Sequence, residues 1–212
     1  MTRPMTALAA FVLTVFAALA LVASPAQAQD AEVDTSGIVE MTMGDPDAPV
    51  TVVEYASYTC PHCARFHEDT FKQLKTDYID TGKVHFIYRE VYFDRFGLWG
   101  SIVARCGEGA ENRFFGITEM LYAQQSDWAR QDDPAAIVDR LRRIGKTAGL
   151  TDAQLDQCLT DGDNAQALYA RWLEFQEADG IDSTPSFVID GRKYANMPYA
   201  EMAELIDNAI GG

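Results

Sequence analysis

Val50-Thr51-Val52-Val53-Glu54-Tyr55-Ala56-Ser57-Tyr58-Thr59-Cys60-Pro61-His62-Cys63 is the stretch that decides how the rest of the chain reads. Val50 to Tyr55 is rich in β-branched residues and reads as a buried strand. Ser57-Tyr58-Thr59 leads out of it. From Pro61 to about Ile79 the pattern turns helical. Cys63, Phe66, Thr70, Leu74 and Tyr78 recur at spacings of three and four, which puts them on one helix face. Pro61 suits the first helical turn, where its missing N–H costs nothing. Thr81-Gly82 ends the helix, and Val84-His85-Phe86-Ile87-Tyr88 reads as a second strand. A strand, a helix and a strand joined by short connections favour a parallel pair.

Working outward, Asp45-Pro46-Asp47-Ala48-Pro49 is a turn cluster. Gln29 to Gly44 is polar and acidic and is expected to be a loose lead-in with one short edge strand at Ile38–Met41. Downstream, from about Phe96 to Asp179, the character is helical throughout. Asp133-Pro134 opens a helix to about Gly149, Thr151 is the N-cap of the next one, and a long helix runs from Asn164 to Ala178. Thr184 to Ile189 then gives a strand that stops at the Asp190-Gly191 turn. Lys193-Tyr194 starts a return strand, and Met202 to Ile210 is an amphipathic terminal helix. The expected fold class is α/β. Residues 45–95 and 180–212 form the core, 96–179 an inserted helical subdomain, and 29–44 the lead-in.

Residues 1–28 have a different character. Arg3 is followed by an apolar run from Ala7 to Ala23 and then by Ser24-Pro25-Ala26-Gln27-Ala28. Basic, apolar and small, in that order, is how a secretory signal peptide reads, with cleavage after Ala28. The run is shorter than the ~20 apolar residues of a spanning helix. Export implies an oxidising compartment, where disulfides persist. The 212 residues carry 17 Lys and Arg against 32 Asp and Glu, a net charge of −15. That surface repels phosphate backbones and anionic lipid, which argues against nucleic-acid binding and leaves solubility as the reading of the charge.

All four cysteines, Cys60, Cys63, Cys106 and Cys158, lie beyond the leader, and four cysteines allow three connectivities. Cys60 and Cys63 sit three apart at a helix start, close enough to bond. That spacing exposes the first sulfur at the helix tip and tucks the second against the first turn. Thiolate is the reactive form of cysteine. Unpaired N–H groups and the helix dipole favour it, and His62, when protonated, adds a positive neighbour. Each pKa unit by which the site lowers Cys60 makes the disulfide about 30 mV more oxidising.

Glu54 is unusual inside an apolar strand. Alone it reads as an edge position facing solvent; the other reading is a buried acid beneath the pair, passing protons during exchange. Thr184-Pro185 reads as a trans turn on base rates, while a cis bond would present the Thr184 backbone to a substrate peptide. Cys60, Cys63 and His67 are too few for a structural zinc site, so no metal is expected. His67 reads as a helix-surface or packing residue, and Trp99, Trp128 and Trp172 read as core.

Val53-Glu54-Tyr55 through Cys60-Pro61-His62-Cys63, the helical insertion and Thr184-Pro185 together resemble the DsbA family of periplasmic dithiol oxidases, in order and spacing over roughly Val50 to Ile210. The resemblance implies a thioredoxin-like core with an inserted helical domain and no cofactor. It implies Cys60 as exposed nucleophile, Cys63 as buried partner, Glu54 as buried acid, and Pro185 as cis, with Thr184 at the substrate surface. Relatives, including alphaproteobacterial ones, carry a second disulfide in the insertion, which implies a structural Cys106–Cys158 bridge. The implied partners are reduced, unfolded exported proteins and a DsbB-like membrane reoxidant, acting on a monomer. One departure matters: Thr184 stands where the best-known enterobacterial oxidase has Val. Thr is familiar there from isomerases and from other oxidases. An isomerase or reductase of the same fold therefore remains the alternative. A non-catalytic chaperone or metal-carrying module is a third reading, against which the intact Cys60-Pro61-His62-Cys63 argues.

Overall fold

A computed structural model describes residues 33–211; the leader expected over 1–28 lies outside the described residues. Among the described residues, one sheet has the strand order β1 (Met41–Met43), β3 (Val84–Glu90), β2 (Val50–Ala56), β4 (Ser186–Ile189) and β5 (Arg192–Ala195). β2 and β3 are parallel, as their short helical connection requires, with Val52 opposite Phe86 and Glu54 opposite Tyr88. β4 pairs antiparallel with the other side of β2 and β5 closes a hairpin on it. Asp190 and Gly191 both take positive φ at the hairpin turn, the backbone that a two-residue loop of this hand needs.

Three expectations are corrected. The edge strand is Met41–Met43 rather than Ile38–Met41, paired antiparallel with β3. Gly44, at φ +85°, lets the chain enter there: a Cβ would come within 2.4 Å of the Val84 carbonyl oxygen. The lead-in is not loose where it is described. Thr35 is buried, its hydroxyl donates to Glu174 (2.9 Å) and its carbonyl accepts from Arg171 (3.0 Å). The single helix expected from Pro61 to Ile79 is three pieces: α1 (Pro61–Glu68), α2 (Thr70–Leu74) and a π turn over Lys75–Ile79. The wider turn is consistent with the neighbours Tyr78 and Ile79 both being buried.

α3 (Arg95–Ala104), α4 (Ala110–Ala123), α5 (Gln125–Trp128), α6 (Pro134–Thr147), α7 (Asp152–Thr160) and α8 (Gly162–Asp179) lie between β3 and β4, and α9 (Tyr199–Gly211) follows the hairpin. Asp133 caps α6, and Thr151 with Gln154 forms a capping box on α7. The sheet is covered on both faces. Val52 and Ala56 pack with Cys63, Phe66, Phe86, Tyr88 and Phe187, whereas Val53 and Tyr55 pack with Ile87, Leu168 and Trp172. Leu121, Trp128, Ile137 and Leu141 of the insertion join the first of these cores, so the inserted helices and the sheet share one apolar interior. Trp128 and Trp172 are buried and Trp99 is half-buried against it.

Candidate active site

Cys60 is the N-cap of α1, with extended backbone (φ −81°, ψ 119°), and Pro61 follows at the first helical position. Pro61 has no N–H, so the first free donors of the helix are those of His62 and Cys63. Both favour the Cys60 thiolate. The Cys63 thiol, donating to the Cys60 sulfur, is the largest influence, and partial burial opposes it. The Cys60 pKa falls to about 5. Cys63, fully buried, is driven the other way by desolvation first, then by its bond to Cys60 and by the charges of Cys60 and Glu54. The pair is thus a half-buried sulfur that ionises readily beside a fully buried one that holds its proton.

Glu54 has 0 % exposure. It shares a face of β2 with Val52 and Ala56, because side chains alternate along a strand, and that face looks at α1. Glu54 is therefore buried, as the family resemblance implies, and not at the solvent-facing edge that the strand alone suggests. Both of its oxygens meet His67 Nε2, at 3.1 and 2.9 Å. His67 is not a helix-surface residue: it is 8 % exposed, one turn beyond Cys63, and stacks on Tyr122 at 4.3 Å. The Thr184–Pro185 bond is cis, and the Thr184 carbonyl lies 3.5 Å from the Cys60 sulfur. The cis bond is the one that the family resemblance implies, against the trans turn that base rates favour.

His62 is exposed, and its Nδ1 accepts from the Arg65 guanidinium at 2.7 Å. A guanidinium only donates. The permanent positive charge beside the pair thus belongs to Arg65. Gln125 from the insertion, buried, donates to the carbonyls of Tyr58 (2.8 Å) and Cys60 (2.9 Å). Asp94, the N-cap of α3, accepts from Thr59 (2.7 Å). These three hydrogen bonds fix the loop that carries Cys60. Cys106, just past α3, is disulfide-bonded to Cys158 on α7, with Cα atoms 5.7 Å apart.

A family model described as thioredoxin matches residues 36–208. The crystal structure of Wolbachia pipientis alpha-DsbA1 superposes with a TM-score of 0.74 at 27% identity, covering 81% of this chain and 91% of that one. The chain belongs to the thioredoxin family, in its DsbA-type branch. A Rickettsia bellii protein named for protein-disulfide oxidoreductase activity is 34% identical over 171 residues, 81% of this chain and 64% of the relative. This chain therefore spans less than two thirds of the Rickettsia relative's length. Disulfide bond formation protein D of Bacillus subtilis is 26% identical, covering 80% of this chain and 77% of that protein. In the DsbA-type frame, Cys60, Cys63, Glu54, Thr184 and Pro185 converge on one site. Cys106 and Cys158 form a separate bond.

Gln125 and Arg65 carried no sequence signal of their own. His67 did: four residues beyond Cys63, it had to share the face of α1 that covers β2.

Proposed function

We propose that this chain is an exported thiol–disulfide oxidoreductase of the periplasm that donates its Cys60–Cys63 disulfide to reduced exported proteins. The observation that carries the reading is the contrast between the two sulfurs. Cys60 sits in a helix N-cap with a pKa of about 5, and Cys63 is buried and held as a thiol. A site that stabilises the Cys60 thiolate stabilises the reduced form, and that makes the disulfide oxidising.

The steps follow from the geometry. A substrate thiolate attacks Cys60 Sγ of the disulfide. A new substrate–Cys60 bond forms, the Cys60–Cys63 bond breaks, and Cys63 leaves and takes up a proton. A second substrate thiolate then attacks the substrate sulfur of the mixed disulfide. Substrate departs oxidised and Cys60 departs as thiolate. The Thr184 carbonyl beside Cys60 supplies a backbone acceptor for the substrate peptide. Reoxidation by a membrane partner of the DsbB kind returns the disulfide. The apolar, small-residue leader over 1–28 supports export.

The test is the equilibrium potential of Cys60–Cys63 against glutathione, with Cys106 and Cys158 intact. A potential well above the glutathione couple is expected. A value near the roughly −270 mV of a reducing thioredoxin would overturn the donor role and point to a reductase or isomerase.

A further inference from the structure

Cys63 must gain a proton when the disulfide opens and lose it when the disulfide closes, and it has no exposure to solvent. Glu54, on the strand beneath α1, has none either. Proton exchange at the pair therefore needs a group that touches both Glu54 and water. His67 is placed to be that group. Its Nε2 meets both oxygens of Glu54, and its ring lines an open cleft of about 430 Å³ between α1, α2 and α4. A single water needs roughly 10–15 Å³ of such space, and Glu68, Lys72 and Glu119 supply polar lining, so the cleft admits solvent.

The other groups packed on the ring do not serve. Tyr88 is fully buried and Tyr122 nearly so at the edge of the cleft; desolvation pushes both phenols well up, and their hydroxyls bond to each other at 2.6 Å, so neither exchanges a proton with Glu54. Phe71 is apolar. Imidazole is the one side chain among these contacts with one ring nitrogen to accept a proton and another to donate one.

We infer that His67 is a positioning residue that relays protons between the cleft and Glu54, and so sets the rate at which Cys63 enters and leaves the disulfide. The inference rests on the proposed oxidoreductase reading and deepens it. On closing, Cys63 Sγ attacks Cys60 Sγ of a mixed disulfide. The Cys60–substrate bond breaks, the substrate leaves as thiolate, and the Cys63 proton passes to Glu54, to His67 and to water. On opening, the proton runs the other way. No oxidant beyond the disulfide itself is needed.

The test uses reduced protein and glutathione disulfide, with acid quench and mass counting of the glutathione adduct on Cys60 and its resolution by Cys63. His67→Gln keeps an N–H donor toward Glu54 but cannot relay a proton. It is expected to slow resolution tenfold or more and to leave the alkylation rate of Cys60 within twofold of wild type. Resolution within twofold of wild type would overturn the relay. His67→Ala supplies a second arm that stands if the Gln variant fails to fold: free imidazole, small enough for the cleft, is expected to restore a slowed resolution, and indifference to imidazole would overturn the inference. A wild-type chain that never closes the Cys60–Cys63 disulfide would bring down the oxidoreductase reading and the relay with it. Closure in wild type with equally fast closure in His67→Gln brings down the relay alone.

Discussion

A sulfur at the N-cap of α1 stands where an Asp or Ser oxygen stands at an ordinary helix start; it closes no side-chain cap hydrogen bond, but the Cys63 thiol first and then the His62 and Cys63 N–H groups favour its charge. The charge those donors favour is negative, so the Cys60 thiol ionises early. Alkylation of reduced protein by iodoacetamide should reach half its maximal rate near pH 5, where a free cysteine needs about pH 8.5. A midpoint above pH 7 would remove the basis for an oxidising pair. The same shift has a consequence for stability. Cys60 is an acid whose folded pKa is depressed, so its contribution is fully present above the unfolded value and is lost as pH falls through about 5. Cys63 is raised, so above the unfolded thiol pKa it works in the opposite direction. The oxidised protein has neither titration. Reduced protein should therefore gain on oxidised protein from pH 5 to about 8, and thermal midpoints of the two forms across that range check it. A difference that stays flat would mean that Cys60 is not ionised where the geometry has it ionised.

At the scale of elements, local signals did best where a single residue satisfies a single backbone group. Thr151 accepts from the Gln154 N–H, and Gln154 reaches back to the Thr151 N–H, which closes the start of α7. Thr151→Ala should cost about 1 kcal/mol in denaturant unfolding, with little effect on thiol exchange, because α7 is distant in sequence from α1 and β2. An unchanged midpoint would mean that solvent replaces the cap at no cost. The Asp133 cap and the Asp190-Gly191 turn were legible for the same reason, each decided by residues adjacent in sequence, while the parallel β2–β3 pair was legible from the helix that joins the two strands. The break at Asp69 and the true edge strand were not legible. They are set by what α2 and β3 pack against. Glu54 shows the limit most clearly. Alternation along β2 gives it a face, but only the presence of α1 over that face tells buried from exposed. The order of motifs resolved it through family resemblance, and the strand alone did not. His67 was visible as a neighbour of Cys63, yet its partner comes from another element, and Gln125 reaches the Cys60 loop from 65 residues away.

Across the whole molecule, the insertion supports the site as well as covering the sheet. Gln125 holds the two carbonyls before α1, Tyr122 stacks on His67, and both sit in the segment spanned by the Cys106–Cys158 bond. That bond joins the end of α3 to α7 across a separation of 52 residues, with α4, α5 and α6 between. Closing a loop of that length in the unfolded chain is worth up to about 4 kcal/mol by chain entropy. Measured values for such bridges spread below the estimate, because an unfolded chain with residual structure has less freedom to lose. Replacing both residues, Cys106→Ala with Cys158→Ala, should lower the unfolding free energy by about 2–4 kcal/mol in urea. Replacing both avoids leaving one unpaired thiol that could exchange with the first pair. Comparison with Cys60–Cys63 oxidised in both proteins keeps the second redox equilibrium out of the measurement. A loss in that range makes the bridge the staple of the segment that carries Gln125 and Tyr122. Equal stability would mean that the shared apolar interior, from Phe114 through Trp128 to Leu141, holds the insertion on the sheet without it.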